Sequence, residues 1–243
     1  MIYVTGDTHG NQVLWDACIT PFIKTGDVII VAGDFCIGFF DGKYWTEEMF
    51  FDYLVAHNYT TAFCDGNYEN FEKMNGYAVT EWCGGRVHFI RKNVIHLMRG
   101  EVYEIDGKKI FVFGGGYSID KDYRVPSKSW WPEEMPNNAE YETARKNLET
   151  CGYKVDYIFT HTAPANTVEY MSRMNLGIKN TVIEETPLTG FLQWVEENTE
   201  YKKWYFGHFH IDRELWKNQI AVLDAIRNLE TGEILKMRIP SVY

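Results

Sequence analysis

Residues 2–10 read Ile2-Tyr3-Val4-Thr5-Gly6-Asp7-Thr8-His9-Gly10, an apolar, β-rich run that stops at an aspartate and a histidine flanked by glycine. A similar arrangement recurs along the chain, with a glycine in or beside every block except that of His161. Val28-Ile29-Ile30-Val31 leads to Gly33-Asp34, and Thr60-Thr61-Ala62-Phe63 to Gly66-Asn67. Tyr157-Ile158-Phe159 leads to His161, and Trp204-Tyr205-Phe206 to Gly207-His208-Phe209-His210. Buried strands that each end in a polar, metal-ligating type of residue predict a site on the rim of a sheet. Asp7, His9, Asp34, Asn67, His161, His208 and His210 are seven candidate ligands in five blocks, the side chains needed to hold two metal ions side by side. Asp7 with His9, and His208 with His210, stand at i and i+2, which on a strand places both on one face.

Taken singly, each residue has a plainer reading. An Asp or Asn after a strand usually closes a turn or caps a helix. His57, His88 and His96 have no partner at ligand spacing and read as hydrogen-bonded core or surface residues. The joint occurrence at five strand ends outweighs the plain reading for the other seven.

In order, the blocks Asp-x-His, Gly-Asp, Gly-Asn-x-Glu, His and Gly-His-x-His resemble the calcineurin-like metallophosphoesterase superfamily, in the form of its small prokaryotic or phage-type members. The resemblance runs from residue 5 to residue 210, and Thr160-His161-Thr162-Ala163-Pro164 looks like the family's fourth block. It implies an α/β fold with α+β elements: a four-layer α-β-β-α sandwich of two mixed β-sheets. It also implies that Asp34 bridges two divalent cations, with Asp7, His9 and His210 completing one site and Asn67, His161 and His208 the other. A bridging carboxylate lets two hard cations sit about 3.5–4 Å apart. A nitrogen and oxygen donor set without thiolate favours manganese, iron or zinc, manganese first, over copper(I), calcium or magnesium. A water held between two such ions loses a proton near neutral pH and can attack phosphorus in line.

One position departs from the family pattern: Tyr68 in Gly66-Asn67-Tyr68-Glu69 stands where histidine is usual. By resemblance Asp34, Asn67, Tyr68 and His208 are the catalytic group. A tyrosine with an ordinary pKa near 10 donates a hydrogen bond but is a poor general acid at pH 7. Three readings are open: Tyr68 is a weak phosphate donor, or the substrates carry good leaving groups, or turnover is low. Glu69 either orients a neighbour or caps a helix start.

The chain has 243 residues, 45% of them hydrophobic, enough for one large α/β domain, and residues 1–243 are read as one. With 24 basic against 34 acidic residues the formal net charge is −10, which repels long nucleic acid. Five cysteines without CxxC spacing argue against a disulfide framework and for a reducing cytoplasm. A signal peptide and a membrane-spanning apolar run are not expected.

Alternation of strands at 2–5, 28–33 and 60–64 with helices around 11–22 and 44–57 predicts parallel strands joined by crossovers. Short strands are expected next at Val94–Leu97, Glu101–Ile105 and Lys109–Phe113, with Asp106-Gly107 signalling a hairpin. Helices are expected near 138–150 and 188–198, strands at 155–160 and 203–207. Ile220–Leu223 and Ile234–Ile239 around Glu230-Thr231-Gly232 read as a closing hairpin.

The segment 114–136, opening with Gly114-Gly115-Gly116, is the expected substrate-side loop. Asn67, Tyr68 and Arg124 are the substrate-binding candidates, Arg124 for a phosphate and Trp130 or Trp131 for a base, with at least one tryptophan packing the loop down. Arg86, Arg91 and Arg99 are weaker phosphate-binding candidates that read first as solvated surface or strand-end charges. The expected activity is dimetal phosphoesterase action on a small phosphorylated molecule or nucleotide, with diesterase character. Alternatives are a phosphomonoesterase or protein phosphatase, and a metal-binding scaffold of low activity. Gly33-Asp34-Phe35-Cys36-Ile37-Gly38 lacks the Asp-Arg that resembling protein phosphatases carry. A nuclease on DNA is disfavoured by charge.

Overall fold

A computed structural model describes residues 1–39, 46–176, 178 and 182–237. The chain opens with β1 (Ile2–Thr5) and α1 (Gln12–Leu14), whose path continues as a π turn over Trp15–Ile19 and a 3-10 turn over Thr20–Phe22. Then come β2 (Val28–Val31), α2 (Glu47–Ala56) and β3 (Thr60–Phe63). Asn11 and Thr46 start the two helices by accepting the amides of Leu14 and Met49, which have no intrahelical partner. The helices are crossovers, so β1, β2 and β3 run parallel, with Ile2 beside Val28 and Val28 beside Thr60. Residues 44 and 45 of the expected second helix lie outside the described residues.

Next come α3 (Phe71–Asn75), β4 (Val79–Trp82), β5 (Gly85–Arg91) and β6 (Val94–Leu97). Of these, only β6 is expected from the sequence. β4 lies at the sheet edge and is largely exposed, so it lacks the apolar alternation that marks a strand. β6 pairs parallel to β3 and antiparallel to β5.

A second sheet begins with the hairpin of β7 (Glu101–Ile105) and β8 (Lys108–Phe113). Its turn residues Asp106 and Gly107 both have left-handed backbones (φ 52° and 70°), as a twisted two-residue hairpin loop requires. α4 (Asn138–Thr150) is held at its start by a reciprocal capping box between Asn137 and Glu140. β9 (Tyr157–Thr160), α5 (Ala165–Arg173), α6 (Thr186–Asn198), β10 (Lys203–Phe206), β11 (Arg213–Glu214), β12 (Gln219–Ala221), β13 (Ala225–Asn228) and β14 (Ile234–Met237) complete the described chain.

The expected closing hairpin is corrected by the tail. β12 belongs to the second sheet beside β10, whereas β13 pairs with β14 and joins the first sheet beside β1. Asp212 makes the switch: its carboxylate accepts the amides of Leu223, Asp224 and Ala225 and turns the chain between sheets. Residues 238 and 239 of the expected hairpin lie outside the described residues.

The sheets run β14-β13-β1-β2-β3-β6-β5-β4 and β11-β12-β10-β9-β8-β7. Between them lies a core containing Val4, Ile30 and Ala62 from the first and Val112, Phe159 and Tyr205 from the second. Outside the first sheet, Trp15, Phe50, Leu54 and Phe71 pack on Ile29 and Val31. Outside the second, Leu148, Val168, Leu192 and Val195 pack on Phe111, Ile158 and Trp204. The result is the α-β-β-α sandwich. Its parallel central strands carry their carboxyl ends to one rim. Among the described residues no helix is long and apolar enough to cross a membrane.

Candidate metal centre

All seven side chains at the strand ends meet on that rim. β1, β2 and β3 deliver Asp7, His9, Asp34 and Asn67; β9 and β10 deliver His161, His208 and His210. The pleat does not aim them, which corrects the i, i+2 reading. β1 ends at Thr5 and β10 at Phe206, and His9, Asp34, His208 and His210 all sit in left-handed turns (φ 46°, 51°, 67° and 51°). Non-glycine residues in such conformations cost about 1–3 kcal/mol each and gather where function over-determines the backbone. The adjoining glycines give the room: a Cβ on Gly33 would overlap the His161 ring, and one on Gly207 would overlap Asp7.

Donor atoms of Asp7, His9, Asp34 and His210 lie within 4.8 Å of one another, a group able to hold a metal ion. Within it His9 Nε2 and His210 Nε2 are 3.2 Å apart, and His210 Nε2 is 3.5 Å from Asp7 Oδ2. Asp7 is buried and its carboxylate also accepts the amide of His208 at 3.0 Å.

A second group surrounds Asn67 Oδ1, which lies 3.1 Å from both His161 Nε2 and His208 Nδ1. His161 Nε2 is also 3.3 Å from Asp34 Oδ1. Ala32 O can only accept, so His161 Nδ1 carries the proton of that 2.9 Å bond. Burial lowers the His161 pKa to about 4, so the ring is neutral at pH 7 and Nε2 presents a lone pair. Lone pairs on His161 Nε2, Asn67 Oδ1 and Asp34 Oδ1 therefore face one another, an arrangement a cation relieves. The donor set fits a pair of divalent cations.

Outside these groups stands Glu185, buried just ahead of α6, which accepts the Tyr117 amide at 3.1 Å and lies 3.4 Å from His208 Nε2. Burial disfavours a charged His208, but Glu185 and the nearby aspartates outweigh it and hold its pKa at about 9. Without a cation the ring is therefore charged at pH 7; a cation would displace the Nδ1 proton, and Glu185, holding the Nε2 side, would leave Nδ1 as the nitrogen to face it. Glu69 orients a neighbour instead of capping a helix. Its carboxylate accepts the amides of Phe35 and Ile37 and secures the turn bearing Asp34, while Asn70 caps α3.

Tyr68 lies beside His9, with ring centroids 5.3 Å apart, and its amide donates to Asp34 Oδ1 at 2.8 Å. Arg124 stacks on the Tyr68 ring at 3.8 Å and pairs with Asp120 at 2.8 Å, so the loop 114–136 does bring Arg124 to the site. Trp131 is buried against Phe39 and packs the loop down; Trp130 is half-buried, 5.7 Å from Lys121. Arg99 is no solvated charge: it is buried, bonded to Asp65 at 2.5 and 2.8 Å and to Glu140 at 3.2 Å. Arg86 pairs with Glu101, and Arg91 with Glu48. His88 and His96 are buried 3.0 Å apart, and His57 bonds the Tyr53 carbonyl, away from the ligand groups as expected. Glu185, Ser118 and Glu134, all buried close to the site, are not marked by the sequence; no local spacing separates them from ordinary loop or cap residues.

No curated protein matched in comparison with this chain. The family model described as calcineurin-like phosphoesterase matches residues 1–165, most of the chain and four of the five blocks. The chain therefore belongs to the calcineurin-like phosphoesterases, a family of metal-dependent phosphoester hydrolases.

Proposed function

We propose that this chain hydrolyses small phosphoric diesters or nucleotide-type phosphoesters with two divalent cations, manganese ahead of iron or zinc. One observation supports this above the others: Asp34 faces both donor groups. Its Oδ1 is turned to His161 (3.3 Å) and its Oδ2 to His9 (3.9 Å), the posture of a carboxylate that bridges. Asp7, His9 and His210 complete one cation site in this reading; Asn67, His161 and His208 complete the other. When bound, the cation pair neutralises phosphoryl oxygens and makes a water acidic enough to attack phosphorus near pH 7.

The chain's own residues hold the donors in place and select the substrate. Glu185 keeps His208 Nδ1 turned inward, and Glu69 keeps the Asp34 turn in place. Arg124, held by Asp120 and by the Tyr68 face, presents fixed positive charge for a substrate oxygen. Burial raises the Tyr68 pKa above its ordinary value, so the phenol stays protonated at pH 7 and donates a hydrogen bond without giving up its proton. Leaving groups that depart without prior protonation, such as the phosphate of a phosphoanhydride or an aryl oxide, are then favoured over simple alkoxides. The net charge of −10 suits a small substrate at a locally positive site. Residues 1–243 act in this reading as one cytoplasmic domain.

Hydrolysis of bis-p-nitrophenyl phosphate against p-nitrophenyl phosphate, with manganese returned to stripped protein, tests the proposal. Manganese-dependent cleavage favouring the diester is expected. A monoester preference rejects the diesterase reading, and two bound metals without turnover of either compound favour a scaffold role.

A further inference from the structure

An asparagine oxygen serves a cation only if the amide cannot turn over and present nitrogen instead. The surroundings of Asn67 decide its orientation. Asn67 Nδ2 lies 3.1 Å from Ser118 Oγ, and Ser118 Oγ lies 2.6 Å from Glu134 Oε2. Glu134 Oε1 accepts the Ser118 amide at 2.9 Å, so the carboxylate grips Ser118 at two points. A hydroxyl has one proton to give. Ser118 gives it to Glu134, and its oxygen is left able only to accept. The group facing it must therefore be the amide NH2, which sends Asn67 Oδ1 toward His161 and His208. All three residues are buried, so water does not offer the amide another partner.

The anchor of this chain of bonds is itself fixed. Arg99 donates to the carbonyls of Glu133 and Glu134 at 2.9 and 3.2 Å, and Gly116 N donates to Glu134 O at 3.2 Å. Gly115 N donates to the Asp65 carbonyl, two residues before Asn67. Both ends of the loop 114–136 are thus tied to the floor of the site.

We infer that Ser118 and Glu134 are positioning residues that lock the Asn67 amide with its oxygen toward the second cation. This rests on the dimetal reading above. Titration of metal-stripped protein with manganese, followed by calorimetry and by the electron-paramagnetic signal of a coupled ion pair, tests it. The wild-type chain should bind two ions. Ser118→Ala should keep the first ion at unchanged affinity and bind the second about 10–100-fold more weakly, the usual effect of losing a group that orients a ligand. Glu134→Gln should do the same, because its amide can donate to Ser118 and reverse the direction of the bonds. Unchanged thermal unfolding of the stripped variants shows that the fold is kept. Two ions bound by Ser118→Ala with wild-type affinity overturn the positioning role alone. A wild-type chain that holds one ion or none overturns the dimetal reading and the positioning role with it.

Discussion

Asp34 is held by several constraints at once. It is buried, its backbone is left-handed, and its Oδ1 accepts the Tyr68 amide while facing His161. Burial alone would raise its pKa, yet the surrounding histidines and that amide hold it below the ordinary carboxylate value. Asp34→Asn keeps the shape and removes the charge that two cations would share. It should abolish both metal retention after desalting and diester hydrolysis; full retained activity would reject the bridging role. Tyr68 poses a narrower question. Tyr68→His restores a group titrating near neutrality beside the centre, and should raise monoester turnover more than diester turnover. The comparison of the two kcat/KM ratios reads this directly, and equal effects would show that leaving-group protonation is not limited here.

The strand-end turn is the element that makes the site, and it is only partly legible in the sequence. Apolar runs that end in a ligand-type residue, mostly with a glycine beside it, are local signals, so β1, β2, β3, β9 and β10 and the seven ligand-type residues just past their ends stand out. The side-chain directions do not, because the left-handed turns at His9, Asp34, His208 and His210 replace the pleat that spacing alone suggests. Supporting groups are hidden for another reason. Ser118 meets Asn67 across 51 residues, and Glu185 meets Tyr117 across 68, separations at which no periodicity operates. Arg99 is the plainest instance, an arginine that reads as a surface charge and is a buried tie between β3's end, the loop 114–136 and α4. Its removal leaves Asp65 buried without its main counter-charge. Arg99→Met should therefore cost about 3–5 kcal/mol of unfolding free energy. Urea unfolding measures it, and adding Asp65→Asn should recover part of the loss; a cost below about 1 kcal/mol would mean the pair is not a structural tie.

Two sheets meeting at one rim place buried histidines on both sides of the central core, and this gives the whole molecule a pH-dependent stability. His161, just past the end of β9, and His88, in β5 of the first sheet, are each pushed down to about 4, burial being the larger cause in both. In the unfolded chain a histidine titrates near 6.5. Below that value the unfolded state takes up protons the native state refuses, so stability present above about pH 6.5 declines until the folded values near 4 are reached. Asp65, held below the ordinary carboxylate range against burial by Arg99 and His96, adds a further loss at lower pH still, as that carboxylate is forced to protonate. His88 lies away from the ligand groups, facing His96 at 3.0 Å, which makes it the cleaner probe. The urea midpoint of the metal-stripped protein should fall between about pH 6.5 and about pH 5.0, below the range in which His208, raised to about 9, gains stability by taking up its proton, and His88→Leu should shrink that fall whatever it does to the midpoint at the higher pH. Parallel pH slopes for the two proteins would show that His88 protonation does not oppose the fold, and would leave the decline to His161 and the other titrating groups of the rim.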